Sequence, residues 1–293
     1  GAIGEITGGG FSYPYFPGLR RYVPALPFAV FFIFLGCVWK LLTTDEMKQR
    51  IIFTVISSLC FAFTVFSYFY IWTTAAAWLA CLVLVWLLVR PEGWVKDLKA
   101  FVALGIACIA SLIPYAYLLS KRSHTMDDVQ LLVFTRDLDL LRMPSLISYA
   151  VIVMLILAIL LKLVKLKEKF GLFVMSLAMV IIVVFNQQAL TGRSLQPIHY
   201  QVFIGNYVAG LALVLMLGLL FKTLAQTKIK QISFAVIALI AATWGIVECH
   251  YTVRVLDEAN VVRDEGMPVA KRLTELSAND IPSPNSQRAV TFA

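Results

Sequence analysis

Eight separate apolar runs, each about 20 residues long, occupy most of this sequence. At about 1.5 Å per residue, a helix of that length crosses most of the roughly 30 Å hydrocarbon core of a bilayer. Because backbone amides in hydrocarbon must be satisfied within the segment, each run is expected to be helical. The runs lie near residues 22–42, 50–70, 74–89, 99–119, 145–164, 170–190, 200–221 and 231–250. The sequence therefore predicts an all-α, polytopic transmembrane helix bundle with about eight helices.

Composition agrees with this class. Hydrophobic residues make up 60% of the chain and charged residues 14%, whereas a soluble domain has roughly 45–50% and 25%. The net charge of +8 does not predict nucleic-acid binding, because the basic residues lie in short loops between apolar runs and not on a soluble face.

The loop charges predict an orientation. The loops after helices one, three, five and seven hold 13 of the 25 basic and five of the 17 acidic residues, and the other side holds twelve of each. Positive charge in short loops marks the cytoplasmic side of a membrane. Both termini and the stretch from Asn186 to His199 are therefore expected to face outward. The predicted orientation depends on the division of helices two and three near residues 70–74.

Three further segments flank or interrupt the bundle of residues 22–250. Residues 1–21 are rich in aromatic residues, glycine and proline, which suits the headgroup layer at the outer face. Residues 120–143 carry leucines at spacings of three and four among charges, which predicts an amphipathic helix in an outer loop. Residues 251–293 are expected to form an outer polar tail.

The connector between helices six and seven is unusually polar. A lone amide at a helix end can merely cap or anchor the helix, but this connector concentrates hydrogen-bonding side chains beyond that need. Arg193 has the planar fork that suits a phosphate, and the amides can bond hydroxyl groups. His199 suits a hydrogen-bonding or general-base role, and simple interfacial placement is its alternative. The predicted substrate-binding residues are Gln188, Arg193, Gln196, His199, Tyr200 and Asn206.

No metal site or cofactor is predicted. The three histidines, His124, His199 and His250, all fall on the expected outer side, but their spacing does not require that they converge on a metal or haem. The cysteines lack metal-ligand spacing. The outer-loop carboxylates are read as solvated charge, with a base or metal-ligand role as the alternative; they are Asp127, Asp128, Asp137 and Asp139.

The polar connector also carries a resemblance. Its pattern is Asn186-Gln187-Gln188, Thr191-Gly192-Arg193, Gln196-Pro197 and His199-Tyr200, followed by Asn206-Tyr207. It resembles the late outer-face segment of bacterial polytopic membrane proteins likened to GT-C glycosyltransferases, which use polyprenyl-phosphate sugars. The outer loop from Asp128 to Leu138 is similar to that group as well, so the resemblance covers roughly residues 110–210.

This resemblance implies a multi-pass protein of the bacterial cytoplasmic (inner) membrane. It also implies a site at the outer face that passes a sugar from a lipid phosphate to an acceptor. The family's catalytic carboxylate normally lies in the first outer loop, but Glu5 stands alone there among glycines. Because the chain also begins without methionine, it is expected to be the C-terminal portion of a longer protein, with its catalytic residues unassigned.

Three functions follow as hypotheses. The first is a glycosyltransferase-like membrane protein whose partners are membrane lipids and a polyprenyl-phosphate sugar. The second is a non-catalytic scaffold among other membrane subunits, and the third is a lipid-linked sugar transporter, against which the scarcity of intramembrane carboxylates counts. An enzyme predicts a cavity lined by Arg193 and His199 with a carboxylate in reach, whereas a scaffold predicts a polar connector packed on protein.

Overall fold

The computed structural model describes residues 22–121, 133–194 and 196–224, two isolated residues before these, and short stretches between 228 and 275. Within this part of the chain, seven helices are long and apolar enough to span a membrane. The chain is a multi-pass, all-α membrane protein, as the apolar runs predicted. The eighth run contains a shorter apolar helix at Ala235–Val247. Nearly all of the segments 1–21 and 251–293 fall outside the described residues, as do His124, Asp127 and Asp128.

The described elements follow one another with short connections. In chain order they are α1 (Tyr22–Thr43), α2 (Met47–Val65), α3 (Phe69–Val89), α4 (Trp94–Ser120), β1 (Val133–Phe134), α5 (Met143–Leu160), α6 (Lys169–Phe185), α7 (Gln188–Thr191), β2 (Arg193–Ser194), α8 (Pro197–Tyr200), a π-helix (Gln201–Gly205) and α9 (Asn206–Leu224). Pro144 and Pro197 lie in the first turns of α5 and α8, where proline leaves no further backbone donor unpaired.

The division between the second and third helices, on which the expected orientation depends, is present. It lies at residues 66–68, a few positions before the predicted 70–74. The backbone N–H of Phe66 closes α2 by donating to the carbonyl oxygen of Ala62 at 3.3 Å. Tyr68 is extended, with φ of −153°, and α3 begins at the next residue. The two neighbouring apolar runs therefore form two helices, as predicted, although few polar residues separate them in the sequence.

The chain separates into two compact units, which we describe individually. Residues 16–231 form the larger unit and contain the seven long helices. Residues 1–15 together with 232–293 form the smaller unit, which contains the helix Ala235–Val247.

Helix α6 lies at the centre of the larger unit and packs against α3, α5 and α9. The contact with α3 is made by large side chains, since Trp78 is fully buried and its indole N–H donates to the hydroxyl of Ser176 at 3.0 Å. The Trp78 ring also meets Phe34 of α1 and Phe173 of α6 edge-on, at 5.5 and 5.6 Å between ring centres. Edge-on aromatic pairs are a favoured geometry and join three helices in one core.

The loops sort into two ends of this bundle. One end, the lysine-rich end, consists of the connections at residues 44–46, 90–93 and 161–168 with the adjoining helix termini. The other, the amide end, consists of residues 66–68, 133–142 and 186–205. Side-chain bonds link the members of each end to one another. This confirms the predicted grouping of loops after helices one, three and five, while the membrane side that each end faces stays a prediction.

At the lysine-rich end, a buried carboxylate joins three helix starts. Asp97 of α4 is 1% exposed and accepts hydrogen bonds from the guanidinium of Arg50 at 3.3 and 3.4 Å. Its second oxygen accepts from the ammonium of Lys169 at 2.8 Å and from the indole of Trp86 at 3.2 Å. In the sequence, Arg50, Asp97 and Lys169 are recognisable only as loop charges, because nothing in their spacing shows that they meet.

An exposed ion pair lies at the same end. Lys96 donates to the carboxylate of Asp45 at 3.1 Å. This hydrogen bond and the positive charge of Lys96 lower the pKa of the Asp45 carboxyl.

The prediction of an amphipathic helix in residues 120–143 is wrong for the described part of that loop. Residues 133 and 134 form strand β1, and residues 135–141 have no helical backbone. Strand β1 pairs antiparallel with β2, with Val133 opposite Ser194 and Phe134 opposite Arg193. The leucine spacing was misleading because this loop is held by backbone and amide contacts to the polar connector, which the loop's own pattern does not contain.

Candidate functional site

The polar connector begins where α6 ends. Asn186 caps this helix, and its amide nitrogen donates to the carbonyl oxygen of Ile182 at 2.8 Å. The same side chain reaches the neighbouring loop, where its oxygen accepts from the N–H of Asp139 at 2.8 Å and its nitrogen donates to the carbonyl oxygen of Asp139 at 3.3 Å. One amide therefore imitates the paired bonds of an antiparallel strand and holds residues 133–142 on the end of α6.

Gln188 makes a second such tie. It is 4% exposed, and its amide nitrogen donates to the carbonyl oxygens of Asp137 at 3.0 Å and Phe185 at 2.8 Å. A buried carbonyl oxygen left without a donor costs about 1–3 kcal/mol. The Gln188 side chain thus satisfies the loop backbone, and its donor groups are directed into the protein.

The short sheet collects two cations and an aromatic ring. Residues directly opposite in an antiparallel pair, and residues two apart on one strand, share a face. Phe134 and Arg193 accordingly lie on one face of the sheet, and Arg136 follows two residues after Phe134, just beyond the end of β1. All three side chains are exposed. The guanidinium carbon of Arg193 is 5.6 Å from the centre of the Phe134 ring. Arg136 donates to the carbonyl oxygen of Ala189 at 3.0 Å. We call Phe134, Arg136 and Arg193 the arginine face.

Gly192 lies in the turn between Arg136 and strand β2. Its φ of +71° is a left-handed conformation that glycine adopts without strain. A Cβ atom built there would lie 3.6 Å from a terminal nitrogen of Arg136. The Arg136 side chain therefore lies directly over the turn into β2.

Two carboxylates belong to the same loop. Asp139 forms an ion pair with Arg142, whose guanidinium also donates to the amide oxygen of Gln201 at 3.0 Å. Asp137 is exposed and accepts a hydrogen bond from the hydroxyl of Thr135 at 2.9 Å. Of these two, Asp139 is held by a structural partner, while Asp137 faces solvent beside Arg136 in the chain.

The first turn of α3 completes the amide end. The Tyr70 hydroxyl donates to the amide oxygen of Gln196 at 3.1 Å, and the hydroxyls of Thr73 and Tyr200 are hydrogen-bonded at 2.9 Å. The ring of Tyr70 meets the rings of His199 and Tyr200 edge-on, at 5.0 and 4.9 Å. Gln196 adopts a left-handed backbone, with φ of 32°, to make this contact. These bonds fasten α8 to α3, far apart in sequence.

The six residues predicted to bind substrate have different surroundings. Gln188, Gln196 and Tyr200 bond to other parts of the protein, as described above. His199 is half-buried, with its ring between those of Tyr70 and Phe203. Arg193 and Asn206 are exposed, Arg193 on the arginine face and Asn206 at the first residue of α9. Ligand binding by any of the six stays a prediction.

Phe134, Arg136, Tyr70 and Thr73 also belong to this end and were not among the predicted residues. Arg136 lies among alternating charges, which are typical of a solvated loop. The β1–β2 pairing that places it beside Arg193 joins residues 59 positions apart or more, a distance over which no local pattern extends. Among the described residues, no group of three His, Cys, Asp or Glu side chains is placed to hold a metal ion.

The Asn186 contact leads to a direct prediction. Replacement of Asn186 by Ala should speed amide exchange of the Asp139 N–H about tenfold, because one hydrogen bond of roughly 1.4 kcal/mol is lost. The measurement is hydrogen–deuterium exchange of the purified protein in detergent micelles. Leu190→Ala is the control, since that side chain is 88% exposed. Equal exchange rates in wild type and Asn186→Ala would show that this amide does not hold the loop.

Comparison of the chain with protein-family models, with curated proteins and with solved structures gave no match. The arrangement of residues at the amide end is therefore the ground for a functional proposal.

Proposed function

We propose that this chain is a glycosyltransferase-like membrane protein that binds a polyprenyl-phosphate sugar at the amide end. The observation that carries the proposal is the arginine face. There the Arg193 guanidinium lies 5.6 Å from the centre of the Phe134 ring, and the Arg136 side chain lies over Gly192, the residue before Arg193. Guanidinium groups bind phosphate through parallel hydrogen bonds, and an aromatic face suits a sugar ring or an isoprenyl chain.

The chemistry of such a transfer fits the side chains nearby. An acceptor hydroxyl forms a bond to the anomeric carbon of the sugar, and the bond from that carbon to the phosphate oxygen breaks. The phosphate leaves with the electron pair, and its charge is stabilised by the guanidinium groups. The acceptor's proton passes to a carboxylate, for which Asp137 is the exposed candidate in this loop.

The loop charges support an outward-facing amide end in a bacterial cytoplasmic membrane. Polyprenyl-phosphate sugars presented at the outer face would then reach the arginine face from the adjoining leaflet.

A second function, a non-catalytic scaffold within a larger membrane complex, is favoured by a separate observation. Gln188, Gln196 and Tyr200 direct hydrogen bonds toward α3, α6 and the loop 133–142. A connector whose polar groups are used in this way has the rigidity that a docking surface for another subunit needs.

One substitution separates these functions. Arg193→Ala should lower kcat/KM for sugar transfer from a polyprenyl phosphate by about 10- to 100-fold, the effect of one charged hydrogen-bonding group of about 1.5–3 kcal/mol. The measurement is sugar transfer from a radiolabelled polyprenyl-phosphate sugar in proteoliposomes. The control is Arg272→Ala, which removes an exposed arginine of the smaller unit.

Unchanged turnover in Arg193→Ala would reject the glycosyltransferase function of this site. Absence of transfer by the wild type across lipid-phosphate sugars, with a subunit that co-purifies with wild type and is lost in Arg193→Ala, would establish the scaffold instead.

A further inference from the structure

A basic groove lies at the lysine-rich end, away from the amide end. Its volume is about 980 Å³, and it runs between the α3–α4 connection and the α5–α6 connection. Among the residues that the structure describes, four cations line it, against two carboxylates, Glu92 and Glu168. The cations are Arg90, Lys162, Lys165 and Lys167. The groove therefore has a net positive charge and the size of a small-molecule site.

The backbone places two of these cations in an unusual way. Arg90 closes α3 and Lys162 follows the end of α5, both in left-handed conformations with φ of 52° and 59°. The N–H of Lys162 donates to the carbonyl oxygen of Ile159 and that of Leu163 to Ala158, the bonding pattern of a Schellman helix end. Glycine is the usual residue in that conformation, since a Cβ atom is disfavoured there. Both walls of the groove thus carry a cation where glycine would relieve strain.

An apolar crevice continues from the groove between α3, α5 and α6. It has a volume of about 230 Å³ and walls that include Val85, Leu155 and Met175. Lys165 lines both the crevice and the groove, and Val89 of the crevice precedes Arg90 of the groove. Leu88, on the crevice wall, is 73% exposed on the bundle surface. The crevice therefore opens toward the lipid.

We propose that the groove and crevice together bind one anionic phospholipid from the leaflet at the lysine-rich end. The lysines receive the phosphate, and the crevice receives part of an acyl chain. Trp94 lines the groove, with the Arg90 guanidinium 5.4 Å from its ring centre, and tryptophan is favoured at membrane interfaces. Basic pockets between transmembrane helices on the cytoplasmic side are suited to anionic headgroups.

The apolar crevice beside the groove favours a lipid over a soluble anion as the ligand. A free phosphate would use the groove alone and gain nothing from Val85, Leu155 and Met175. The site lies at the end of the bundle opposite the arginine face, so the lipid proposal does not rest on the glycosyltransferase proposal. Separate experiments test the two proposals.

The test compares two charge-matched triple variants by thermal unfolding in detergent. One is Lys162→Gln, Lys165→Gln and Lys167→Gln within the groove. The control is Lys40→Gln, Lys48→Gln and Lys99→Gln, three exposed lysines of the same end outside it. Added phosphatidylglycerol should raise the Tm of wild type and control. The groove variant should need at least about tenfold more lipid for the same rise in Tm.

Three results would overturn the proposal. Equal loss of response in both triple variants would show diffuse attraction to charge instead of a site. An equal shift with phosphatidylcholine would show that the headgroup charge is not recognised. An equal shift with sn-glycerol 3-phosphate alone would identify the groove as a soluble-anion site.

A separate variant tests the crevice. Met175→Trp fills it without changing any charge, so it should reduce the Tm shift by long-chain phosphatidylglycerol severalfold. If the shift is undiminished while Met175→Trp is folded at the wild-type Tm in the absence of lipid, the acyl chain does not occupy the crevice and the proposal fails. If Met175→Trp has a lowered Tm without lipid, the lysine variants decide the test instead, because their exposed side chains do not support the core.

Discussion

Asp97→Ala is expected to lower the free energy of unfolding by about 3–5 kcal/mol, the usual cost of removing one partner from a buried ion pair. The substitution leaves the guanidinium of Arg50, which is 5% exposed, without its carboxylate. It also removes the carboxylate that accepts from Lys169 and from the indole of Trp86, and leaves Lys169 with the carbonyl oxygen of Leu42. Since these groups belong to α2, α3 and α6, one change loosens three helices at the lysine-rich end.

The measurement is equilibrium unfolding in mixed micelles of detergent and sodium dodecyl sulfate. Asp45→Ala is the matched control, because it removes a carboxylate paired with Lys96 at the same end, but in an exposed position. Surface ion pairs contribute little, so this control should unfold nearly as wild type. Asp97→Asn should fall between wild type and Asp97→Ala, because its amide keeps hydrogen-bonding capacity but not the charge. Equal stability of Asp97→Ala and Asp45→Ala would mean that the buried network does not support the fold.

Gly205→Ala has the second largest expected effect. A Cβ atom at this last residue of the π-helix would lie 2.9 Å from the carbonyl oxygen of Tyr200 and 3.2 and 3.3 Å from ring atoms of Phe185. Phe185 cannot easily yield, since it is 1% exposed and the guanidinium of Arg142 lies over its ring at 5.5 Å. Such overpacking costs typically about 1–3 kcal/mol.

Gly210→Ala is the control for this change. It adds the same methyl group to α9, but a Cβ atom there has no neighbour within 4 Å. Because alanine is favoured over glycine in a helix by up to about 1 kcal/mol, Gly210→Ala should be neutral or stabilising. Unfolding in mixed micelles and amide exchange in residues 196–205 should therefore separate the two variants. If Gly205→Ala and Gly210→Ala are equally stable, the segment between α6 and α9 moves to accommodate the added methyl group, and the predicted overpacking is wrong.

The seven long helices could be predicted from the sequence because hydrocarbon imposes a local requirement. An apolar run must satisfy its own backbone hydrogen bonds, so length and composition suffice to identify a spanning helix. Even the break at residues 66–68 was close to its predicted place. The loop 133–142 was not predictable in this way, since its strand and its bonds to Asn186 and Gln188 depend on residues about 50 positions away.

The polar connector could be recognised in the sequence by its concentration of amides. The hydrogen-bonding partners of those amides could not be predicted. Whether Gln188 faces a ligand or the carbonyl oxygen of Asp137 depends on where the preceding loop lies. Likewise, Arg136 became part of the arginine face only through the pairing of β1 with β2. Hydrogen-bonding partners are a property of distance in space, and a side chain's type states only what it is able to bond.

Hydropathy and chain order alone predict a multi-pass helical bundle and the grouping of its loops into two ends. Three features exist only in the folded chain: Asp97 is buried between two cations, Arg136 lies over the turn before Arg193, and a basic groove shares Lys165 with an apolar crevice. The physical reason is that membrane crossing is required of each segment separately, whereas a site exists only where side chains from several segments converge.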